Sequence, residues 1–284
     1  MTEQSNDTPI LRIGVQPYLQ TRPLWNRISE IAPEIEIHKD TPRNLAAMLV
    51  EGKLDAALLP FLTTLRNPTI SIVPGIGLCS KGAAQIAMIY SRTAPSDIKT
   101  ILLDRSAISG VAMQRAMFRI RWSMQPVEVL SDQPLSDAYS FDNSPYDAFL
   151  VEGEAALKAR HDFPVVLDLG KQWEQWTSVP FVWSVWGVRE GLRGPALEAL
   201  FHEASGAGLE ALEETAREGA GETGLASEEC LELLRGLRYE IGEDEKGGIK
   251  RFFYYMSELK ICPHEVNIEY YHEDHTETIV LKGK

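Results

Sequence analysis

The chain has 284 residues, a formal net charge of −13, and apolar and charged fractions of 44% and 24%. This composition is ordinary for a globular protein, and the length allows one large core or two smaller ones. A surface this acidic repels the phosphates of nucleic acids and anionic lipid head groups, so neither is expected as a partner. No apolar run approaches the ~18–20 residues that a membrane-spanning helix needs.

The N-terminus and the cysteines predict a cytoplasmic protein. Residues 1–8 lack the basic and apolar regions of a secretory signal. Cys79, Cys230 and Cys262 are too few and too scattered for a disulfide framework, so we expect reduced thiols.

The first sixty residues alternate short strands with helices. In chain order, the pattern predicts a strand at 11–16, a helix over 24–31, a strand around 35–37, a helix that Thr41 caps and Gly52 ends, and a strand at 54–59. The last strand is apolar throughout, as in a parallel sheet that is covered on both faces. The alternation is typical of an α/β fold.

A similar series follows. It predicts strands at 100–103, 127–130 and 146–151, with a helix capped by Ser109 after the first of them. Residues 146–151 (YDAFLV) echo residues 54–59 (LDAALL), which fits either a duplicated α/β lobe or a chance match between common strand sequences.

Residues 180–189 predict a long apolar strand, residues 195–260 are mainly helical in pattern, and the last twenty residues predict a polar surface tail. His272 and His275 lie in that tail among acidic residues and are expected to be solvated, not to bind metal.

A first lobe that is interrupted by a second and completed by C-terminal helices matches the two-lobed α/β fold of periplasmic binding proteins (type II). We predict one lobe from residues 1–90 plus 186–284 and the other from residues 91–185. In open α/β sheets, ligands bind outside the carboxyl ends of the strands, which here is the cleft between the lobes.

Two loops are candidates for binding a ligand there. Residues 17–24 (PYLQTRPL) follow the first strand, and Gln20 and Thr21 supply an amide and a hydroxyl. The alternative is a helix start capped by Thr21. Residues 106–110 (SAISG) precede a helix whose free N–H groups suit a carboxylate, the alternative being simple capping by Ser109.

Three further patterns carry less information. Trp173 and Trp176 fit either a wall of the cleft or the core. Glu152 and Glu154 follow a predicted strand and fit carboxylates of the cleft, but acids are common at helix starts in any case, so we do not select them. Gly75 and Gly77 lack the third glycine of a dinucleotide-binding loop, so no nucleotide cofactor is expected.

Several of these segments together resemble the chorismate dehydratase family of the futalosine route to menaquinone. The segments, which follow in the same order between about residues 11 and 260, are Arg12-Ile13-Gly14, Tyr18-Leu19-x-Thr21-x-Pro23-Leu24, Glu51-Gly52-Lys53-Leu54-Asp55, Ser80–Gly82, Asp168-Leu169-Gly170 and Trp173-x-x-Trp176-Thr177-x-x-Pro180-Phe181-Val182. The last segment is the most specific. The chain departs from the family pattern at Gln20, where the family has Asn, and at Ile108, where it has Thr.

The resemblance implies the two-lobed fold and a cofactor-free, metal-free lyase that dehydrates chorismate to 3-[(1-carboxyvinyl)oxy]benzoate. It implies a catalytic role for Gln20. The residues expected to bind the substrate are Tyr18, Thr21, Ser80, Gly82, Ser106, Ser109, Trp176 and Thr177. We expect Gln20→Ala to lower turnover while leaving thermal stability nearly unchanged.

Two alternatives stay open. One is a non-catalytic cytoplasmic protein of the same fold that binds or senses a small carboxylate. The other is an enzyme similar to dihydroxynaphthoate synthase, although the Ser-Pro-Asp-Thr-Asp-Asp opening of that family is not present.

Overall fold

The computed structural model describes residues 11–131, 135, 141, 144–158, 163–194 and 196–283. The strands, in chain order, are β1 Arg12–Val15, β2 Glu36–Lys39, β3 Ala56–Pro60, β4 Ser71–Ser80, β5 Ala87–Ser91, β6 Thr100–Asp104, β7 Val127–Ser131, β8 Ala148–Glu152, β9 Val165–Asp168, β10 Phe181–Val188, β11 Arg238–Glu240, β12 Glu265–Tyr271 and β13 Thr276–Lys282. They form two separate sheets. The segment at residues 1–8 lies outside the described residues.

Ten α-helices fall within the same part of the chain. They are α1 Ile28–Ile31, α2 Pro42–Val50, α3 Phe61–Arg66, α4 Ile108–Ala116, α5 Glu154–Lys158, α6 Leu169–Thr177, α7 Leu197–Glu210, α8 Leu212–Thr223, α9 Ser227–Arg235 and α10 Glu243–Glu258. Short 3-10 helices span Leu19–Leu24 and Pro95–Asp97, and a π-helical turn spans Met117–Arg121.

The larger sheet is built from both ends of the chain. Its order is β13-β12-β4-β10-β3-β1-β2, with β11 also paired to β4. Strand β1 is parallel to β2 and β3, whereas β10 runs antiparallel to both β3 and β4. This sheet forms the first lobe.

The smaller sheet has the order β7-β6-β8-β5-β9. Strands β7, β6 and β8 are parallel, and β5 is antiparallel to both of its neighbours. This sheet forms the second lobe, and the two sheets together give the mixed α/β, two-lobed architecture that the sequence predicted.

The chain passes between the sheets twice. It leaves the first at the end of β4, enters the second at β5, and returns through α6 to β10. The positions 90 and 186 at which we divided the lobes fall inside β5 and β10. We propose to place the crossings at residues 81–86 and 178–180 instead, because each of these strands pairs within a single sheet.

Local sequence signals explain several of the elements. Thr41 caps α2 by accepting a hydrogen bond from the Asn44 N–H, with Pro42 in the first turn and Gly52 at φ 71° beyond the end. Strand β3 is buried along its whole length, as its apolar sequence predicts.

Other expectations were wrong. Ser109 does not cap α4, which begins at Ile108, and its hydroxyl donates to the Trp183 carbonyl instead. Residues 24–31 do not form one continuous helix, because Pro23 and Leu24 end a 3-10 helix and only Ile28–Ile31 are α-helical.

The last twenty residues are not a tail. They contain the whole of an antiparallel hairpin, β12–β13, whose first strand also pairs with β4 at Tyr270.

No helix in the described part of the chain is both long enough and apolar enough to cross a membrane. The core is continuous, and large side chains such as Trp173, Trp186 and Phe201 are fully buried in it. The two lobes are therefore packed against each other through apolar side chains as well as joined by the chain.

Candidate active site

A small cavity lined by both polar and apolar side chains lies between the lobes. Residues Gln16, Tyr18, Gln20 and Thr21 of the first lobe line it, and Ser109 and Glu152 of the second lobe face them. The four residues of the first lobe follow β1, Ser109 lies in the first turn of α4, and Glu152 ends β8. The cavity therefore lies at the carboxyl ends of strands, as ligand sites in such folds do. Its volume is about 10 Å³, close to the minimum for one water molecule.

Gln20 lies in the 3-10 helix Leu19–Leu24 that follows β1. Its side chain is buried, with only 2% of its surface exposed, and its Nε2 donates to the Gln85 carbonyl at 3.2 Å. Its Oε1 has no hydrogen-bond partner among the described residues. A buried amide oxygen without a partner is costly, so this atom is a natural acceptor for a ligand that enters the cavity.

Thr21 and Tyr18 shape the wall on the same side. The Thr21 hydroxyl lies 2.7 Å from the Gln16 carbonyl and 2.8 Å from the Tyr18 carbonyl, and it accepts a hydrogen bond from Trp25 Nε1. It therefore fixes the loop that carries Gln20. The Tyr18 ring lies against Gly153, where a Cβ would be only 3.1 Å from two ring carbons.

Gln16, which the sequence interpretation missed, is held by two bonds. Its Nε2 donates to the Leu58 carbonyl at 3.0 Å and to Ser184 Oγ at 3.2 Å. The signal was available, because Gln16 is the polar residue that directly follows the apolar strand β1.

Ser109 joins the lobes from the other side of the cavity. Its hydroxyl donates to the Trp183 carbonyl at 3.3 Å, and Trp183 Nε1 in turn donates to Ser80 Oγ at 2.9 Å. Ser80 therefore supports the wall through Trp183 and does not itself line the cavity.

Glu152 is the last residue of β8, and the sequence interpretation considered it as a cleft carboxylate but did not select it. Its Oε2 atom is buried and has no hydrogen-bond partner within the described residues. That atom lies 2.9 Å from the position that a Cβ would take at Gly110, so only glycine lets the carboxyl approach the first turn of α4 this closely. The informative signal was its position at the carboxyl end of an apolar strand.

Burial raises the pKa of Glu152 to about 8, and the negative charge of Asp104 acts in the same direction. The Gly110 N–H favours the charged form but does not outweigh them. Near neutral pH this side chain is therefore mainly a neutral carboxylic acid.

Asp104 ends β6, beside the end of β8. It accepts hydrogen bonds from the Ser106 N–H at 2.8 Å and the Ser106 hydroxyl at 2.6 Å. The Ser106 side chain is thus engaged by Asp104 and does not line the cavity.

The remaining sequence candidates lie outside the cavity lining. Gly82, at φ 106°, is in the crossing between β4 and β5. The Trp176 ring stacks on Tyr255 at 4.3 Å, and the Thr177 hydroxyl donates to the Trp173 carbonyl at 2.9 Å. The structure therefore brings Tyr18, Gln20, Thr21 and Ser109 together and leaves these three residues apart.

The crossing that carries Gln85 is held by Asp168. One carboxylate oxygen accepts from the Ala84 N–H at 2.9 Å and the Gln85 N–H at 2.7 Å, and the other caps α6 through the Lys171 N–H at 3.0 Å. Asp168 therefore fixes the backbone of Gln85, whose carbonyl accepts the hydrogen bond from Gln20.

Other reactive groups are poorly suited to catalysis. Burial raises the pKa of the Cys79 thiol, and it raises the pKa of Cys262 to about 11, so neither is a thiolate near neutral pH. Among the residues that the structure describes, no group of three or more His, Cys, Asp or Glu side chains is placed to hold a metal ion. His272 contacts Glu198 at 2.9 Å, and His275 contacts Asp274 at 2.6 Å.

A larger cavity, of about 260 Å³, lies within the first lobe. Its lining is mainly apolar and includes Phe61, Ile72, Val185, Ile249 and, from the C-terminal hairpin, Tyr270 and Ile279. The smaller cleft is the better candidate for a site of chemistry, because it holds buried polar atoms without partners and a carboxyl with a shifted pKa.

A protein family described as menaquinone biosynthesis matches residues 11–258. A relative named chorismate dehydratase, from Thermus thermophilus, is 24% identical over 237 residues, which cover 74% of this chain and 83% of the relative. Strands β12 and β13 lie beyond the matched segment.

Solved structures share the fold. Protein AF1704 from Archaeoglobus fulgidus aligns with a TM-score of 0.68 and 16% identity, covering 88% of this chain and 98% of that one. The alkanesulfonate-binding protein SsuA from Xanthomonas axonopodis pv. citri, bound to MOPS, aligns with a TM-score of 0.64 and 12% identity, covering 89% and 94%. These neighbours confirm the periplasmic-binding-protein-like fold.

Proposed function

The chain belongs to the menaquinone biosynthesis family, and we propose that it dehydrates chorismate to 3-[(1-carboxyvinyl)oxy]benzoate in the cleft between its lobes. The similarity to a chorismate dehydratase supports this reaction. The observation that carries it is Gln20, a buried amide that lines this cavity and whose Oε1 has no hydrogen-bond partner among the described residues.

The reaction needs little from the protein besides orientation and electrostatics. Chorismate has an enolpyruvyl ether at C3, a hydroxyl at C4 and two carboxylates. Loss of the C3 proton leaves charge that spreads through the ring diene to the ring carboxylate, and loss of the C4 hydroxyl makes the ring aromatic. Such a step is accelerated by positioned donors in a cavity from which water is excluded.

We assign Gln20 the role of fixing the C4 hydroxyl, since its unpartnered Oε1 can accept a hydrogen bond from that hydroxyl. The substrate's own enolpyruvyl carboxylate takes the C3 proton, because the described residues that line the cleft include no Lys, Arg or His and the Glu152 carboxyl there is mainly protonated near neutral pH. Ser109 and the first N–H groups of α4 would hold a carboxylate of the substrate.

Of the other residues predicted to bind the substrate, some line the cavity and some lie outside its lining. Tyr18 and Thr21 form the wall around Gln20, and Ser80 and Ser106 act through Trp183 and Asp104. Direct contacts from Gly82, Trp176 and Thr177 stay a prediction, and they require a bound arrangement in which the lobes have moved.

The lobes must also separate for chorismate to enter, because the closed cavity has room for only about one water molecule. Hinge opening between two lobes is a common movement in this kind of architecture. We further propose a cytoplasmic location, which is consistent with the three free cysteines. No nucleic acid partner is proposed.

The test is to incubate the purified protein with chorismate and follow loss of substrate and formation of an aromatic product by absorbance and mass. Stoichiometric formation of the enolpyruvyl benzoate is expected. Tight binding of chorismate without turnover would instead favour a carboxylate-binding or sensor protein, and absence of both would refute the proposal. The fold neighbours include a sulfonate-binding protein, so MOPS serves as a matched non-reactive anion.

A further inference from the structure

The proposed dehydration leaves one group of the cleft without a role. Glu152 faces Gln20 and Thr21 across the cavity, yet its Oε2 is buried and has no partner among the described residues. Leaving a buried polar atom unpaired destabilises the fold, so a carboxyl kept in this state points to a functional use.

The surroundings of Glu152 favour its neutral form. The charged group that faces it is Asp104 at the end of β6, and the titratable group on the opposite lobe is Tyr18. From α4 it meets the backbone at Gly110, and from β5 its strand neighbour is Ala87. No cation among the described lining residues offsets these anionic and apolar neighbours.

A neutral acid is also what the substrate requires. Chorismate is a dianion, and an ionised Glu152 would repel it in a cavity that holds no positive side chain. A carboxylic acid at the same place does not repel the substrate and has a proton to donate.

Resting on the proposed dehydration, we propose that Glu152 is the general acid of the reaction and gives its proton to the C4 oxygen as that group leaves. The C3–H bond breaks and its proton passes to the enolpyruvyl carboxylate, while the electron pair moves into the ring. The C4–O bond then breaks, its electron pair stays on oxygen, and the proton of Glu152 completes a water molecule. The proton on the product carboxyl returns to Glu152 before the next turnover, so one water leaves per chorismate and nothing is oxidised or reduced.

Gln20 cannot replace Glu152 in this step. Its amide can orient the hydroxyl by accepting a hydrogen bond, but it does not release a proton at neutral pH. The two side chains face the same cavity from opposite lobes, which places an orienting group and an acid on the two sides of the leaving hydroxyl.

The experiment compares the pH dependence of kcat for the wild type, Glu152→Gln and Glu152→Asp, with Glu34→Gln as a control at an exposed glutamate. In the wild type, kcat should fall about tenfold per pH unit above the pKa of about 8, as the acid loses its proton. Glu152→Gln should lower kcat by about 10²–10⁴-fold, change KM little and abolish this alkaline limb. Glu152→Asp should keep the limb at a lower rate, and Glu34→Gln should match the wild type.

Thermal unfolding supplies a second readout. Because folding raises the pKa of Glu152, the folded protein holds a proton that the unfolded chain has lost between about pH 4.3 and 8, so stability falls as the pH rises through that window. Glu152→Gln removes this penalty and should raise Tm at pH 8 relative to the wild type, with the difference vanishing near pH 4. A purely structural glutamate would give a lower Tm.

The outcomes are distinguishable. Wild-type turnover of chorismate together with an equally fast Glu152→Gln variant, or with an alkaline limb that persists in that variant, would overturn the role of Glu152 alone. A wild type that forms no product at any pH would overturn the proposed function, and the role of Glu152 with it.

Discussion

Replacement of Gln20 by alanine removes two things at once. It removes the Nε2 donor to the Gln85 carbonyl, at 3.2 Å, and the unpartnered Oε1 that faces the cleft. Because Gln20 is only 2% exposed, bulk water cannot easily reach the lost side chain's former partners and replace its hydrogen bonds. The expectation from sequence that this substitution leaves stability nearly unchanged assumed an exposed loop, and the structure shows a buried one.

The magnitudes follow from these contacts. A lost neutral hydrogen bond and a carbonyl left without its partner together lower the free energy of unfolding by about 1–3 kcal/mol. For a chain of this size, each kcal/mol corresponds to about 2 °C in Tm, so Tm should fall by about 2–6 °C. Loss of a group that orients the reacting hydroxyl should cost about 2–4 kcal/mol in the transition state, or about 30- to 1000-fold in kcat.

The assay is turnover of chorismate, followed by product formation, with Tm measured on the same samples. Gln114→Ala is a matched control, since Gln114 is a fully buried glutamine outside the cavity lining. It should keep kcat within about twofold of the wild type while testing the same truncation. Gln20→Asn is sharper still. The Asn side chain is one methylene shorter, by about 1.5 Å, so its amide no longer reaches the Gln85 carbonyl. The substitution also restores the residue that the family pattern has at this position.

A Gln20→Ala protein that melts several degrees lower but turns over at the wild-type rate would refute the orienting role of Gln20. Gln20 would then be only a support for the crossing at Gln85. A rise in kcat for Gln20→Asn would show that the longer side chain weakens the reaction, and a fall would show that the cleft is fitted to glutamine.

Three further predictions concern the support around the cleft and the chemistry. Asp168→Ala removes the cap of α6 and the acceptor for two N–H groups, so it should lower the free energy of unfolding by about 2–4 kcal/mol in chemical denaturation, and Asp168→Asn should cost less. Burial alone would raise the pKa of Asp55, but hydrogen bonds from Arg12 and Arg189 lower it below its usual value. Asp55→Asn should therefore lower the free energy of unfolding by about 1–3 kcal/mol at pH 7, and the difference from the wild type should shrink below about pH 4, as Asp55 becomes protonated. Turnover should be unchanged after treatment with EDTA, because the proposed reaction uses no metal, and activity that vanished and returned with added metal would contradict it.

The sequence contains the fold but only part of the site. Apolar runs such as those of β3 and β10 predicted their own strands, because a strand buried on both faces must be apolar throughout. Strand β4 was missed because Pro74, Gly75 and Gly77 interrupt its run of apolar residues, and these residue types are typical of turns. The C-terminal hairpin was missed for a different reason. Strand β13 is mostly exposed, so its sequence lacks the apolar content that marks a buried strand.

At the site, sequence reasoning identified the loop of Gln20 because of its position after β1. It could not find the role of Glu152, because the acidity of a carboxyl depends on burial and on Asp104, which is 48 residues away in the chain. The hydrogen bond of Ser106 to Asp104 could not be predicted for a similar reason. A hydroxyl in a loop is expected to face a ligand, and the partner that engages it, Asp104, is identified only by the folded geometry.

The closed state of the cleft also sets how tightly it can bind. Tyr18 against Gly153, and Ser109 against Trp183, hold the lobes together. For a ligand that enters only the open form, the apparent Kd is the intrinsic Kd divided by the fraction of molecules that are open. A protein that is open about 1% of the time would bind such a ligand about a hundredfold more weakly than its contacts allow. Substitutions that loosen these contacts and spare the groups that touch the ligand should tighten binding, which is the reverse of what losing a contact does at a preformed site.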